Sequence, residues 1–247
     1  DPELAIITNI GLDHTDLLGE NLEKIAAEKA GVIKTNRPVI IGKEQKETKN
    51  IFVEKAKEKH AAFYLAEKGN QIETDLKGKY QIENSNTALK AIELLKSWGW
   101  NIDEENIRDG FKSVVKNTGL LGRWQVLNNK PLSICDTAHN EDGIKLIVQQ
   151  IKQNPHEHLH FVFGTVSDKN SSRILRLLPK QATYYFCKAA IPRAMDANLL
   201  KENASHFGLK GEVFPTVIDA FAEAKKRAEN KDLIFVGGST FVVAEVL

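Results

Sequence analysis

The apolar positions follow two rhythms, and the changes between them mark the predicted elements. A run at residues 4–7 predicts a buried strand that empties into a polar turn carrying Asn9, Asp13 and His14. The spacing then shifts to three and four at Leu22, Ile25 and Ala26, which predicts a helix with Asn21 as N-cap and Gly31 just past its end. Lys29 falls in that same stripe, four residues after Ile25. Residues 37–42 (RPVIIG) predict a second buried strand, 51–60 a charged amphipathic helix and 62–65 a short strand. Residues 68–79 are polar and contain glycine, which suits a loop or an edge hairpin. A helix over 84–98 would turn Ala88, Ala91, Ile92 and Leu95 inward and close at Gly99. Another, over 103–115 and capped by Asp103, would carry Ile107, Phe111, Val114 and Val115 on one face. The pattern breaks at 116–121 (KNTGLL), which places a domain junction between 1–118 and 119–247.

Beyond the junction, strand and helix alternate regularly. Strands are predicted at 132–136, 160–164, 183–187, 212–214 and 233–237, with helices at 143–153, 171–178, 197–207, 217–229 and from Thr240. That alternation predicts an α/β fold with an open, largely parallel, Rossmann-like sheet covered by helices on both faces. Ligands of such sheets sit beyond the carboxyl ends of the strands. Asp136 and His139 follow the first of these strands, Lys169 the second and Ser239 the last.

Composition narrows the class without identifying it. The 247 residues are 42% apolar and 27% charged, with 34 basic and 33 acidic side chains, ordinary for a globular protein with a substantial core. No basic tract points to nucleic acid, and no apolar run approaches the roughly 20 residues of a membrane helix. Cys135 and Cys187 lack CxxC spacing. One disulfide between them is allowed, and buried free thiols in a cytoplasmic protein is the other reading.

The candidate chemistry carries two readings at each position. Lys29 on a buried stripe either snorkels to water or is a desolvated amine, able to capture carbon dioxide as a metal-binding carbamate. Asp136 in DTAHN either caps the next helix or grips two sugar hydroxyls, with His139 packed against a base. Arg123 in GRWQ either stacks on Trp124 or reaches a phosphate with its planar fork. Asn84 and Asn86 in QIENSNTAL either cap a helix or read an adenine edge. Lys169 in FGTVSDKN is either solvated or holds a carboxylate. Ser239 in FVGGST is either an N-cap or part of an anion site. His156, His158 and His160 alternate in HEHLH and invite a metal reading, but no carboxylate or cysteine partner is evident, so they are expected to be solvated.

TNIGLDH, LGENLEKIAAEKAG, GRWQ and DTAHN, ordered along nearly the whole chain, closely resemble bacterial folylpolyglutamate synthase/dihydrofolate synthase, of the ATP-dependent Mur ligase superfamily. The resemblance implies the remainder of a central ATPase domain followed by a ligase domain. It implies an ATP-dependent amide ligase that adds L-glutamate to folate or dihydropteroate through an acyl phosphate. It assigns magnesium to His14 and carbamylated Lys29, ATP to Asn84, Arg123, Asp136 and His139, and glutamate to Lys169 and Ser239. The family has Phe where Trp124 stands. It also carries a GTNGKGS-type phosphate loop upstream of TNIG, which has no counterpart here. The chain starts at Asp1 directly before a strand, so a fragment that folds without turning over is expected. A cell-wall Mur ligase acting on a UDP-muramyl substrate and a non-catalytic nucleotide-binding module are the alternative readings.

Overall fold

A computed structural model describes residues 2–13, 18–67, 69, 71–167 and 171–247. The chain divides into two compact units, Asp1–Asp75 with Lys79–Asn117, and Leu76–Gly78 with Thr118–Leu247.

The first unit is built on a three-stranded parallel sheet, β1 (Ala5–Ile7), β2 (Val39–Ile41) and β3 (Phe63–Leu65), in that order. The alternation within β2 decides the layers, because successive side chains leave a strand on opposite faces. Val39 and Ile41 pack with Ile25 and Ala26 of α1 (Leu22–Lys29) and Phe52 and Ala56 of α2 (Lys49–Glu58). Ile40 instead meets Ala91 and Leu94 of α3 (Gln81–Ser97). Asn21 caps α1, its side-chain oxygen accepting the Lys24 N–H at 2.8 Å. Gly31 is no left-handed cap: it sits in a 3-10 turn, Ala30–Val32, that continues α1.

Helix α3 begins three residues before the expected start and has no side-chain cap. Its end is as expected, with Gly99 at φ +92° and the Trp100 N–H reaching back to the Leu95 carbonyl at 3.1 Å. The predicted 103–115 helix is two. In α4 (Glu104–Lys112), Asp103 closes a capping box with Asn106, and α5 (Val114–Thr118) follows a break at Ser113. No strand forms among described residues 69 and 71–79.

The second unit holds a six-stranded sheet ordered β4-β5-β9-β6-β7-β8, parallel throughout except for β4 (Gln125–Asn129), which runs antiparallel to β5 (Leu132–Asp136). Strand β4 was not expected. Strands β5, β6 (Leu159–Phe163), β7 (Thr183–Phe186) and β9 (Leu233–Gly237) follow the apolar runs, and β8 (Lys210–Val213) closes the far edge. Strands β6 and β9 are buried at every position, as strands covered on both faces must be. Phe161 meets Tyr184, Phe163 and Phe235 with ring centroids 5.0–5.7 Å apart. Cys135, Val162, Tyr185 and Val236 pack instead with α9 (Val217–Arg227) and α10 (Thr240–Ala244). Helices α6 (Glu141–Gln153), α7 (Ser171–Leu175) and α8 (Ala197–Ser205) complete the unit.

Both cysteines are buried and free. Burial pushes each thiol up to about 12, so neither presents a thiolate near neutrality. A thiol reagent at pH 8 is expected to leave both unmodified in the folded protein and to modify both once urea unfolds it. Stoichiometric labelling without denaturant would contradict that burial. No described helix is long and apolar enough to cross a membrane.

Candidate functional site

The register of the second sheet brings three strand ends level. Asp136 pairs with Gly237, and Gly237 pairs with Phe163. The segments following β5, β9 and β6 therefore leave the same edge of the sheet, with Asp136 and His139 at the end of β5 and Ser239 after β9.

Two motifs meet at the end of β5. Asp136 is 2% exposed, and its carboxylate accepts two backbone protons, from Trp124 N–H at 2.7 Å and Ala138 N–H at 2.8 Å. It does not cap α6, which Asn140 does by accepting the Gly143 N–H at 2.9 Å. The Thr137 N–H donates to the Gly122 carbonyl at 3.0 Å. Gly122 in turn donates its N–H to the Gln125 side-chain oxygen at 2.7 Å. The GRWQ turn is thus pinned to the DTAHN turn from both of its ends.

The pinned turn has an unusual backbone. Gly122 stands at φ +70° and Trp124 at φ +49°. A Cβ on Gly122 would lie 2.8 Å from Thr137 Cγ2 and 3.0 Å from a Val243 methyl, so glycine is required there both by conformation and by space. For a tryptophan the left-handed region is costly and persists only where surrounding contacts over-determine it. Those contacts are the Asp136 hydrogen bond and burial of the indole, 5% exposed, with its ring 5.8 Å from Phe235. Arg123, half-buried, lies between these two left-handed residues.

His139 is half-buried and its Nδ1 lies 2.9 Å from the Thr137 carbonyl. A carbonyl only accepts, so Nδ1 carries the proton in that contact. Ser239 is 4% exposed and caps α10, its Oγ accepting the Val242 N–H at 3.2 Å. Lys169 and His14 lie outside the described residues.

Two residues of the first unit depart from expectation. Lys29 is exposed rather than buried: the buried line runs from Ile25 and Ala26 through Ala30, and Lys29 lies beside that line. The burial that singled it out is absent. Asn84 is an exposed residue of the fourth helical position and caps nothing. Its amide donates to the Gln81 side chain at 2.8 Å. Of the assigned ATP residues, Asn84 belongs to the first unit, and Arg123, Asp136 and His139 to the second.

The histidine run is also corrected. His160 is 5% exposed, with Nδ1 2.8 Å from the Tyr185 hydroxyl and Nε2 3.3 Å from Asp232 Oδ2. It is a buried residue with a carboxylate partner, 72 positions away. Among the described residues no group of three or more His, Cys, Asp or Glu side chains could hold a metal ion. Sequence reading passed over Trp124 as a backbone element, Thr137 and Gln125, all three lying inside motifs it had quoted.

Residues 122–240 match the Mur ligase, glutamate ligase domain. The dihydrofolate synthase/folylpolyglutamate synthase of Escherichia coli K12 is 31% identical over 100% of this chain and 60% of its own length. That of Bacillus subtilis 168 is 27% identical, over 100% and 62%. The chain thus spans about 60% of the length of the curated relatives it matches. Escherichia coli FolC in complex with DHPP and ADP superposes with a TM-score of 0.84 at 29% identity, covering 100% of this chain and 61% of that one. A bifunctional folylpolyglutamate synthase/dihydrofolate synthase with Mn, AMPPNP and L-glutamate bound gives 0.80 at 28%, covering 100% and 61%.

Proposed function

We propose, from the likeness of this chain to the Mur ligase, glutamate ligase domain and to folylpolyglutamate synthase/dihydrofolate synthases, that the protein it forms is an ATP-dependent ligase joining L-glutamate to a folate or dihydropteroate carboxyl group. In this reaction the carboxylate oxygen attacks the γ-phosphorus of ATP and ADP leaves, giving an acyl phosphate. The glutamate amine then attacks the acyl carbon, loses a proton and expels phosphate, and an amide bond remains. Such chemistry asks a protein mainly for positioning and for neutralisation of phosphate charge.

The observation that carries the reading is the pinned GRWQ–DTAHN pair at the carboxyl edge of the second sheet. There Arg123 supplies a planar cation for phosphate oxygens. His139, with Nδ1 donating to the Thr137 carbonyl, is assigned to the base or phosphates, and Asn84 offers an amide to adenine. Asp136 is assigned to the ribose: each of its oxygens accepts one backbone proton and keeps a lone pair for a sugar hydroxyl. Glutamate is assigned to Lys169 and to Ser239, whose hydroxyl keeps its own proton to donate while its oxygen caps α10.

Magnesium is the finer metal assignment, to His14 and carbamylated Lys29. The described residues alone do not form a metal site, and with Lys29 exposed its carbamylation rests on the family resemblance. When bound, a divalent ion supplies charge neutralisation to the phosphates.

The test is a substrate panel on the full-length protein: dihydropteroate, folate and a UDP-muramyl substrate, each with L-glutamate and ATP, followed by phosphate release. Release dependent on glutamate and a pteridine substrate is expected. Turnover with the UDP-muramyl substrate alone would assign a cell-wall ligase, and ATP binding without phosphate release a nucleotide-binding module.

A further inference from the structure

Two amides meet in the first turn of α3. Gln81, the first residue of the helix, is 6% exposed, and its side-chain oxygen accepts the Asn84 Nδ2–H at 2.8 Å. Asn84 itself is exposed. An amide turns readily about its last bond and can present oxygen and nitrogen either way round, so an exposed asparagine on its own has no preferred orientation. Here the two orientations differ. An Asn84 oxygen set against the Gln81 oxygen is repelled, whereas the NH2 finds an acceptor. The contact spends one of the two Asn84 N–H groups and leaves one N–H and the Oδ1 acceptor side by side for a ligand.

That remaining pair has a direction. Adenine presents the N6 donor beside the N7 acceptor and matches it at both places. Guanine presents two acceptors, O6 and N7, so its O6 would face Oδ1 lone pair to lone pair. A freely turning amide escapes the clash by giving its NH2 to O6. One held by Gln81 does not.

We propose that Gln81 is a specificity-determining residue for the nucleotide: acting through Asn84, it holds that amide in the one orientation that matches adenine and rejects guanine. The inference rests on the reading of Asn84 as the adenine ligand.

The measurement is phosphate release by the full-length protein with L-glutamate and its pteridine substrate, using ATP and GTP in turn. A bidentate amide–adenine pair discriminates roughly 5- to 150-fold against the wrong base, and the wild type should favour ATP in kcat/KM on that scale. Gln81→Met keeps the length of the side chain but has no amide oxygen to accept from Asn84, so the preference should fall by at least about fivefold. Its kcat/KM for GTP should also rise in absolute terms, which damage to the fold does not produce. Gln81→Leu repeats the test if the methionine variant does not fold. Gln81→Glu still accepts from Asn84 and should keep the wild-type ratio within about twofold. Should that carboxylate not be tolerated, Gln81→Met combined with Asn84→Ala replaces it: the ratio should stay within about twofold of Asn84→Ala alone, because Gln81 acts only through Asn84.

Equal use of both nucleotides by the wild type would overturn the proposal, as would an unchanged ratio in Gln81→Met or a loss in Gln81→Glu as large as in Gln81→Met. Proportional losses with ATP and GTP, together with a lower unfolding temperature, would mark a merely structural role and overturn it equally. A wild-type ratio and ATP KM in Asn84→Ala would instead remove the reading of Asn84, an outcome separable from the others because it appears in that single variant.

Discussion

Gly238→Ala is expected to destabilise the second unit by about 2–4 kcal/mol, the sum of an unfavourable positive-φ conformation and overpacking against rigid atoms. Gly238 stands at φ +101°, and a Cβ there would lie 2.5 Å from Phe163 Cε2 and 2.6 Å from the Gly164 carbonyl oxygen. The ring can yield a little, but the carbonyl is backbone at the end of β6 and cannot. Because Gly238 precedes the Ser239 cap, the substitution also displaces the segment to which we assign glutamate, so glutamate KM is expected to rise along with the loss of stability. The contrast is Gly110→Ala, inside α4 with no atom within 4 Å of the added carbon. There alanine should stabilise by up to about 1 kcal/mol, through helix propensity alone. Urea unfolding of both variants checks the opposite signs.

Asp232→Ala should cost about 2–4 kcal/mol, the scale of leaving two or three buried N–H donors without an acceptor. Asp232 accepts N–H groups from His158 at 3.0 Å and Glu229 at 2.7 Å and lies 3.3 Å from His160 Nε2, so its loss strands several donors at once. The same network predicts a pH dependence. Burial lowers the His160 pKa, with His158 and Arg227 adding to it against the opposing pull of Asp232. Burial acts to raise the Asp232 pKa, but the Glu229 amide, His160 and the His158 amide outweigh it and leave it lowered. For each group the unfolded chain takes up its proton at a higher pH than the folded one. Stability contributed by His160 is therefore present above its unfolded value of about 6.5 and is lost as pH falls below it. The Asp232 contribution follows below about 3.9. Urea midpoints between pH 7 and 5 should decline less steeply in His160→Gln than in the wild type. Parallel declines would refute the assignment.

The elements that could be read from sequence are those whose own residues carry the signal. LIFVG and LSICD are apolar runs of strand length between turns, and both were placed to the residue. Asp103 announces α4 through its own capping box. What escaped depends on partners distant in the chain. Strand β4, QVLNN, has no apolar run because it is an edge strand, and only its pairing with β5 makes it a strand. Periodicity put Lys29 on the core stripe, but the buried line continues one position on, through Ala30, and leaves Lys29 outside it. His160 looked solvated because Asp232 is 72 residues away. At the carboxyl edge of the second sheet, the motifs were legible and their mutual grip was not. Nothing local to GRWQ reveals a left-handed tryptophan, since local propensity argues against one and Asp136, twelve positions on, overrides it.

That override has a consequence for how this chain can drift. Positions 124 and 136 do not accept substitutions independently: while the carboxylate is present, 124 can hold a large aromatic, and once it is gone the same backbone angle selects glycine or asparagine. A library randomised at both positions and sorted for folding should return Asp136 with bulky aromatics. Other residues at 136 should come back with the small, left-handed-tolerant pair, so the permitted alphabet at one site is written by the occupant of the other.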